Sequence, residues 1–388
     1  MHDPIVSSFF LIFTGAAVLG TLALYARQSL LLAYILLGIL LGPSVLGLIP
    51  NLELLEQISH IGITFLLFLL GLDLQPRELL HLLRKTTMVT LASSALFAAV
   101  GYVAGQLTGF TPLESLLIGA AAMFSSTIIG IKLLPTTVLH HQHAGEIMTS
   151  VLLLQDLIAI LVLLLLQGHA GGEGVGTDIA LLGIFLVAVV VAAFVIEAYV
   201  LRRLLTRFDR IREYVFLLAI GWCLGIAELS AWLGLSTEVG AFIAGVSLAA
   251  SPIAPYIADS LRPLRDFFLV VFFFSLGGAF DLGMLADVLL PAALFAAALL
   301  LIKPWVFRGL LTRLGEKPAL SLEMGVRLGQ ISEFSLLIAV LAATTGVIGA
   351  RASYFIQAST ILTFMLSSWY IVRTYPTPIA VSDALRRD

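Results

Sequence analysis

The sequence predicts an all-α polytopic membrane protein with thirteen transmembrane helices arranged as an inverted repeat. Three observations carry that prediction. The 388 residues are 60% hydrophobic and only 12% charged, where soluble domains carry about a quarter charged residues. Apolar stretches of about 20 residues, the length that crosses a ~30 Å hydrocarbon core, recur from end to end. The basic residues gather on one side of those stretches, as the positive-inside rule requires. A net charge of -3 gives no reason to invoke nucleic acid. Cys223 is the single cysteine, so no intrachain disulfide forms.

The first span runs from Pro4 to Leu24 and is read as a mature helix, because no Lys/Arg-rich secretory start precedes it. Leu30 to Ile49, Leu54 to Leu74 and Thr86 to Leu107 follow, with Gly38 and Gly42 in the second span and Phe65 to Gly71 in the third, near Asp73. Span five, Leu113 to Pro135, carries Gly119, Ser125-Ser126-Thr127, Gly130 and Lys132. A break there would expose carbonyls and half-helix ends suited to an ion; the alternative is hydroxyls bonding back to their own helix. His140, His141 and His143 follow in a loop, where solvation is the ordinary state and pH sensing or metal binding the alternatives.

Span six, Ala144 to Leu166, places Gln155-Asp156 among aliphatic residues. Asp156 lies about twelve residues into the span, or ~18 Å at the helical rise, near the bilayer centre. An ionisable group at that depth costs at least ~2.5 kcal/mol. It is either a carboxyl that takes and releases protons or cations, or a permanently protonated structural hydrogen bond. Serine or asparagine would build the latter at lower cost, which favours function.

The outside loop from Gly168 to Gly176 is glycine-rich and flexible. Span seven runs from Ile179 to Leu201, and Arg202, Arg203, Arg207, Arg210 and Arg212 follow it. Spans eight, nine and ten are Tyr214 to Leu233, Thr237 to Ala250 and Phe267 to Phe280, with Asp281 at the end of the last. Asp73 and Asp281, both at span ends, read as solvated or helix-capping. Span eleven, Leu285 to Phe307, contains Lys303, which either snorkels to the interface or is a buried ammonium that neutralises a half-helix C-terminus or pairs with Asp156. Span twelve, Leu320 to Thr345, contains Arg327 and the run Gly329-Gln330-Ile331-Ser332-Glu333-Phe334; span thirteen is Ala352 to Val372.

With thirteen spans, seventeen of the 21 Lys and Arg residues share one side with the C-terminus; Arg351 lies opposite, and Lys132, Lys303 and Arg327 lie within spans. The N-terminus is then outside and the C-terminus cytoplasmic. Three local patterns recur at a near-constant offset: Gly42 and Gly245 are 203 residues apart, Gly71 and Gly277 are 206 apart, and Gly119 and Gly325 are 206 apart. Residues 1–166 form a first six-helix repeat, 179–201 a linker helix, 214–372 a second repeat and 373–388 a cytoplasmic tail, all within one membrane transport domain, 1–388. Seven crossings invert the second repeat, and secondary transporters so built bind substrate at mid-membrane between the repeats.

The stretches Phe242 to Val246, Leu153 to Asp156, Ser125 to Thr127, Leu301 to Lys303 and Gly329 to Phe334 cover the chain in order and resemble the membrane domain of Kef-type potassium/proton antiporters, in the second cation:proton antiporter family. That resemblance implies an inverted-repeat antiporter fold with two crossed discontinuous helices, spans five and twelve, beside Asp156. It implies a homodimer in the lipid of a bacterial inner (plasma) membrane. Spans one, two, eight and nine would form a dimerisation panel, and spans three to six with ten to thirteen a moving core. Lys303 would be the core lysine of the fold, and Gln155 replaces the first aspartate of the Asp-Asp pair of electrogenic relatives. Such proteins usually continue into a nucleotide-binding regulatory domain; here it either follows Asp388 or is lacking.

The function expected is monovalent cation:proton antiport, with potassium favoured over sodium and with no cofactor and no enzymatic activity. Asp156, Gln155, Ser125, Ser126 and Thr127 are the candidate cation and proton site. Lys303, Glu333, Gln330, Ser332 and Arg327 are candidates for charge compensation or coupling. No metal is expected beyond the transported K+ or Na+. A passive cation channel would use the same carboxylate. An organic-anion symporter would need basic residues near the breaks, and a membrane hydrolase would need apposed aspartates or His-Glu-x-x-His, which no span contains.

Overall fold

The computed structural model describes residues 4–26, 28–49, 52–73, 76–127, 130, 139–170, 175–208, 210–249 and 251–377. Lys132 and residues 378–388 of the tail lie outside the described residues, as do the side chains of Asp73, His140 and His141. The described residues are helical without a β-strand. The helices are α1 (Pro4–Tyr25), α2 (Leu30–Leu41), α3 (Leu52–Asp73), α4 (Pro76–Leu107), α5 (Pro112–Met123), α6 (Leu139–Ala170), α7 (Val175–Ile196), α8 (Arg202–Phe208), α9 (Arg212–Trp232), α10 (Thr237–Ala249), α11 (Ala254–Gly278), α12 (Leu282–Arg313), α13 (Pro318–Arg327), α14 (Glu333–Thr344) and α15 (Ala350–Thr374). Among the described residues, seven helices are long and apolar enough to cross a membrane, and five apolar helices are shorter.

Local chemistry accounts for several boundaries. Thr111 and Glu114 form a reciprocal capping box at the start of α5, with Pro112 at the first turn, which satisfies two otherwise orphan donors. Asp281 caps α12 by accepting from the Gly283 N–H at 2.8 Å, the capping role the sequence allows. Between α7 and α8 the chain makes a π-helical turn, Glu197–Leu201. Arg202 closes over that turn, donating to the buried Glu197 carboxylate at 3.0 and 3.2 Å. A carboxylate in an apolar helix needs such a partner.

The chain divides into two compact units. The first comprises Met1–Ala16, Tyr34–Leu80 and Gln167–Ala279, and the second Ala17–Ala33, His81–Leu166 and Phe280–Asp388. The first unit is built on close backbone crossings. A side chain on Gly71 would strike the Phe242 carbonyl, one on Gly245 the Phe68 carbonyl, one on Gly38 the Phe274 carbonyl and one on Gly277 the Ile35 carbonyl. Span three therefore crosses span nine, and span two crosses span ten, at glycine contacts typical of membrane helices. Spans three and ten thus belong to one compact unit with spans two and nine, which differs from the resemblance's grouping of both with the moving core.

A Gly245→Val substitution is expected to cost at least ~1–3 kcal/mol by overpacking and to lower the melting temperature of the detergent-solubilised protein. Gly221→Val, whose added Cβ meets nothing within 4 Å, serves as the control and should melt like wild type. Equal melting of the two variants would count against the crossing.

Candidate functional site

The candidate residues converge in the second unit, where two helices are interrupted. The first, α5, ends at Met123; Phe124 to Ser126 are extended and Thr127 is helical again. The second, α13, ends at Arg327, and α14 begins at Glu333 with Ser332 as its N-cap, accepting from the Phe334 N–H at 3.2 Å. Thr127 and Glu333 are each the first helical residue after a break, and they are 206 residues apart.

The breaks are bonded to each other. Ser125 Oγ donates to the Leu328 carbonyl at 2.7 Å, Ser335 Oγ to the Ala121 carbonyl at 2.7 Å, and Gln330 Nε2 to the Ser126 carbonyl at 3.3 Å. The Ser125 hydroxyl therefore serves the second break rather than its own helix. Ser367 Oγ in turn donates to Gln330 Oε1 at 3.1 Å. Two of the released backbone N–H groups find side-chain partners: Ser125 N–H donates to Gln155 Oε1 at 3.0 Å, and Ile331 N–H donates to Thr363 Oγ1 at 3.1 Å. Non-helical backbone at membrane depth persists only when satisfied in this way.

Lys303 is buried, with 0% exposure. Its ammonium donates to the carbonyls of Phe124 at 2.9 Å and Gln330 at 3.0 Å and lies 5.1 Å from the centre of the Phe97 ring. Both accepting carbonyls sit just past the C-terminal end of a half-helix, where the helix dipole is negative. Snorkelling and pairing with Asp156 are both displaced by this arrangement. Phe124 and Gln330 are again 206 residues apart. So are Gly119 and Gly325, whose added Cβ atoms would meet the carbonyls of Ala98 at 2.5 Å and Pro304 at 2.7 Å, a further pair separated by 206. The offset seen in the sequence thus reappears as matched contacts.

Asp156 is 2% exposed. Neither carboxyl oxygen has a well-formed hydrogen bond among the described residues. The Thr127 hydroxyl lies beside the carboxyl without closing such a bond, and Glu333 is near enough for its charge to act on Asp156. A carboxyl this buried without a formed hydrogen bond among the described residues is unusual, because desolvated polar groups otherwise acquire partners. Val151 and Leu152 of α6 belong to a buried apolar cluster with Phe97, Phe307, Met324 and Leu328.

Two expected members act differently. Gln155 directs its amide to backbone, accepting from Ser125 and donating to the Met123 carbonyl at 3.1 Å, rather than turning to Asp156. Arg327, fully buried, donates to Glu323 at 2.8 and 3.0 Å and to the Pro376 carbonyl at 2.8 Å, beside the Tyr375 ring. It ties α13 to the exit of α15 instead of joining the Asp156 cluster. His143 lies in α6 rather than in a loop, because the helix starts at Leu139, and its Nε2 is 3.0 Å from the Glu316 carboxylate. Sequence reading missed Thr363, whose only signal is the hydroxyl spacing Ser359, Thr360, Thr363, Ser367 along α15.

The family model "Sodium/hydrogen exchanger, transmembrane" matches residues 9–373. The chain is 25% identical over 371 residues to K(+) efflux antiporter 6 of Arabidopsis thaliana, covering 93% of this chain and 62% of that protein. It is 26% identical over 379 residues to the iron transporter MagA of Paramagnetospirillum magneticum, covering 96% and 86%. The chain thus spans under two thirds of the length of the plant relative. Its fold is similar to that of the sodium proton antiporter MjNhaP1 from Methanocaldococcus jannaschii, with a TM-score of 0.69 at 17% identity, over 94% of this chain and 95% of that one.

Proposed function

Since the chain belongs to the sodium/hydrogen exchanger transmembrane family, we propose that it is a secondary active cation:proton antiporter exchanging potassium for protons at Asp156. One observation carries this reading: a buried carboxyl with no well-formed bond among the described residues, near Thr127 and Glu333, the first helical residues after the two breaks. In this mechanism a dehydrated monovalent cation sits on the Asp156 carboxylate, helped by the Thr127 hydroxyl and backbone oxygens of the breaks. After release on the far side a proton takes its place for the return. Gln155, Ser125, Ser332, Gln330 and Thr363 hold the breaks open, and Lys303 neutralises their carbonyl ends throughout the cycle.

The same reading takes spans five and twelve as crossed broken helices. It counts thirteen crossings: the seven long helices, the five shorter ones and the apolar half of α11. The N-terminus is outside, the C-terminus cytoplasmic, and the protein a homodimer of the bacterial inner membrane.

Because one acid alternates between one cation and one proton, the two compete. On the acidic limb the apparent KM for the cation is expected to rise about tenfold per unit fall in pH, and turnover should be insensitive to imposed voltage. Proteoliposomes loaded with a pH dye and given K+, Na+ or Fe2+ gradients test this. Uphill proton movement driven by K+ supports antiport, whereas strictly downhill leak is the behaviour of a channel. Exchange driven by Na+ but not K+ would select a sodium/proton antiporter, and exchange driven by Fe2+ alone would overturn the monovalent assignment.

A further inference from the structure

The last turns of α12 have two faces. One, with Lys303, Pro304, Phe307 and Leu311, is buried in the second unit. The other presents Trp305, Arg308, Gly309, Thr312 and Arg313, at the three- and four-residue spacing of a single helical face. With Pro318 of α13 these residues line an open groove of about 400 Å³. The Trp305 ring is 61% exposed, and the Arg308 guanidinium lies 5.0 Å from its centre. None of the lining residues is acidic, and among the described residues neither Arg308 nor Arg313 forms an ion pair. By contrast Arg202, Arg262, Arg265 and Arg327 each have a carboxylate within 4 Å.

Toward the middle of the helix the outward side continues as Leu301, Leu294 and Leu290, exposed by 68%, 64% and 70%. The surface is therefore an apolar strip ending in an exposed tryptophan and two unneutralised arginines, at the end of a spanning helix on the basic side of the chain. Tryptophan favours the level of the headgroups, and basic pockets at that level take anionic lipid. A soluble anion would have no use for the leucine strip. Gly309 borders open space, since a Cβ added there would meet nothing within 4 Å.

We infer that this groove is a binding site for the phosphate of an anionic phospholipid, whose acyl chain lies along Leu301 and Leu294. Arg308 and Arg313 donate to the phosphodiester oxygens through guanidinium geometry suited to phosphate, and Trp305 packs at the glycerol level. The site depends on α12 crossing the membrane and not on which cation is carried.

The test uses the full chain, delipidated in detergent and returned to an equal mixture of phosphatidylglycerol and phosphatidylcholine with identical acyl chains, with bound lipid read by native mass spectrometry. Wild type should retain phosphatidylglycerol over phosphatidylcholine by at least about fivefold, the preference one interfacial arginine supplies. The Arg308→Gln/Arg313→Gln protein should retain the two lipids equally, while Arg203→Gln/Arg207→Gln should keep the preference. Millimolar inorganic phosphate should not displace the lipid.

Equal retention by wild type overturns the site. So does a preserved preference in the Arg308/Arg313 variant, or equal loss in both double variants, which would be general surface charge. Displacement by inorganic phosphate would make it a soluble-anion site instead. In a second measurement free of the arginine variants, brominated phosphatidylglycerol should quench the fluorescence lost in Trp305→Phe more than brominated phosphatidylcholine does. Equal quenching again overturns it.

Discussion

Asp156→Asn protein in proteoliposomes is expected to lose cation-driven proton movement to the level of protein-free vesicles. The fall should be at least about 100-fold, equivalent to about 2.7 kcal/mol. Asparagine has nearly the volume of aspartate, so the packing of α6 between the breaks survives. What disappears is the only property the cycle uses at this position, a group that is anionic when it holds a cation and neutral when it holds a proton. Because neither Asp156 oxygen has a well-formed hydrogen bond among the described residues, the substitution breaks none there, and the melting temperature should stay near that of wild type. Stabilisation of the protein by added K+ should vanish with the charge. Cation-driven proton movement surviving in Asp156→Asn would remove the carboxylate from the mechanism.

Lys303→Ala is expected to have the larger effect on stability. The ammonium holds the Phe124 and Gln330 carbonyls at 2.9 and 3.0 Å. Each buried acceptor left without a donor costs about 1–3 kcal/mol, about 2–6 kcal/mol together. A cavity beside Phe97 adds to this. The Ala variant should melt well below wild type and transport at background. Lys303→Gln separates the two jobs of the residue, since its amide supplies two N–H donors but no charge. Melting near the wild-type temperature with weakened transport would assign stability to the donated bonds and activity to the charge facing two half-helix ends. A Lys303→Ala protein as stable as wild type would show that the carbonyls find other donors and that the bridging role is incidental.

Both predictions concern residues that stand out in the sequence for the same reason: ionisable groups are rare in a chain that is only 12% charged. Asp156 could be singled out because its depth can be counted from the span boundary. Depth alone left Lys303 undecided between the interface and the interior, because the choice depends on which way the α12 face turns and on whether acceptors wait there. Gln155 shows the limit more sharply. Its adjacency to Asp156 points to shared duty at the cation, whereas its amide is spent on the Met123 and Ser125 backbone. Adjacent helical residues face about 100° apart, so adjacency in the chain is poor evidence of a shared ligand. The place of Arg327 in span twelve points to the site, whereas its bonds to Glu323 and Pro376 depend on where the chain leaves α15. Thr363 had no charge to mark it and gained its part only through the Ile331 N–H that the break released.

The sequence alone determined the membrane setting of this protein, the 206-residue correspondence between its halves and the short list of groups whose charge needs an explanation. Those are sums and spacings along the chain, and the hydrophobic effect and positive-inside bias act on them directly. The tertiary structure decided where the helices break, which carbonyls Lys303 bridges, that the Asp156 carboxyl forms no well-formed bond among the described residues and that spans three and ten pack beside spans nine and two. Such outcomes depend on hydrogen bonds and backbone contacts between residues some two hundred positions apart. Bond directions and ångström-scale clearances govern them, and neither is a function of local composition.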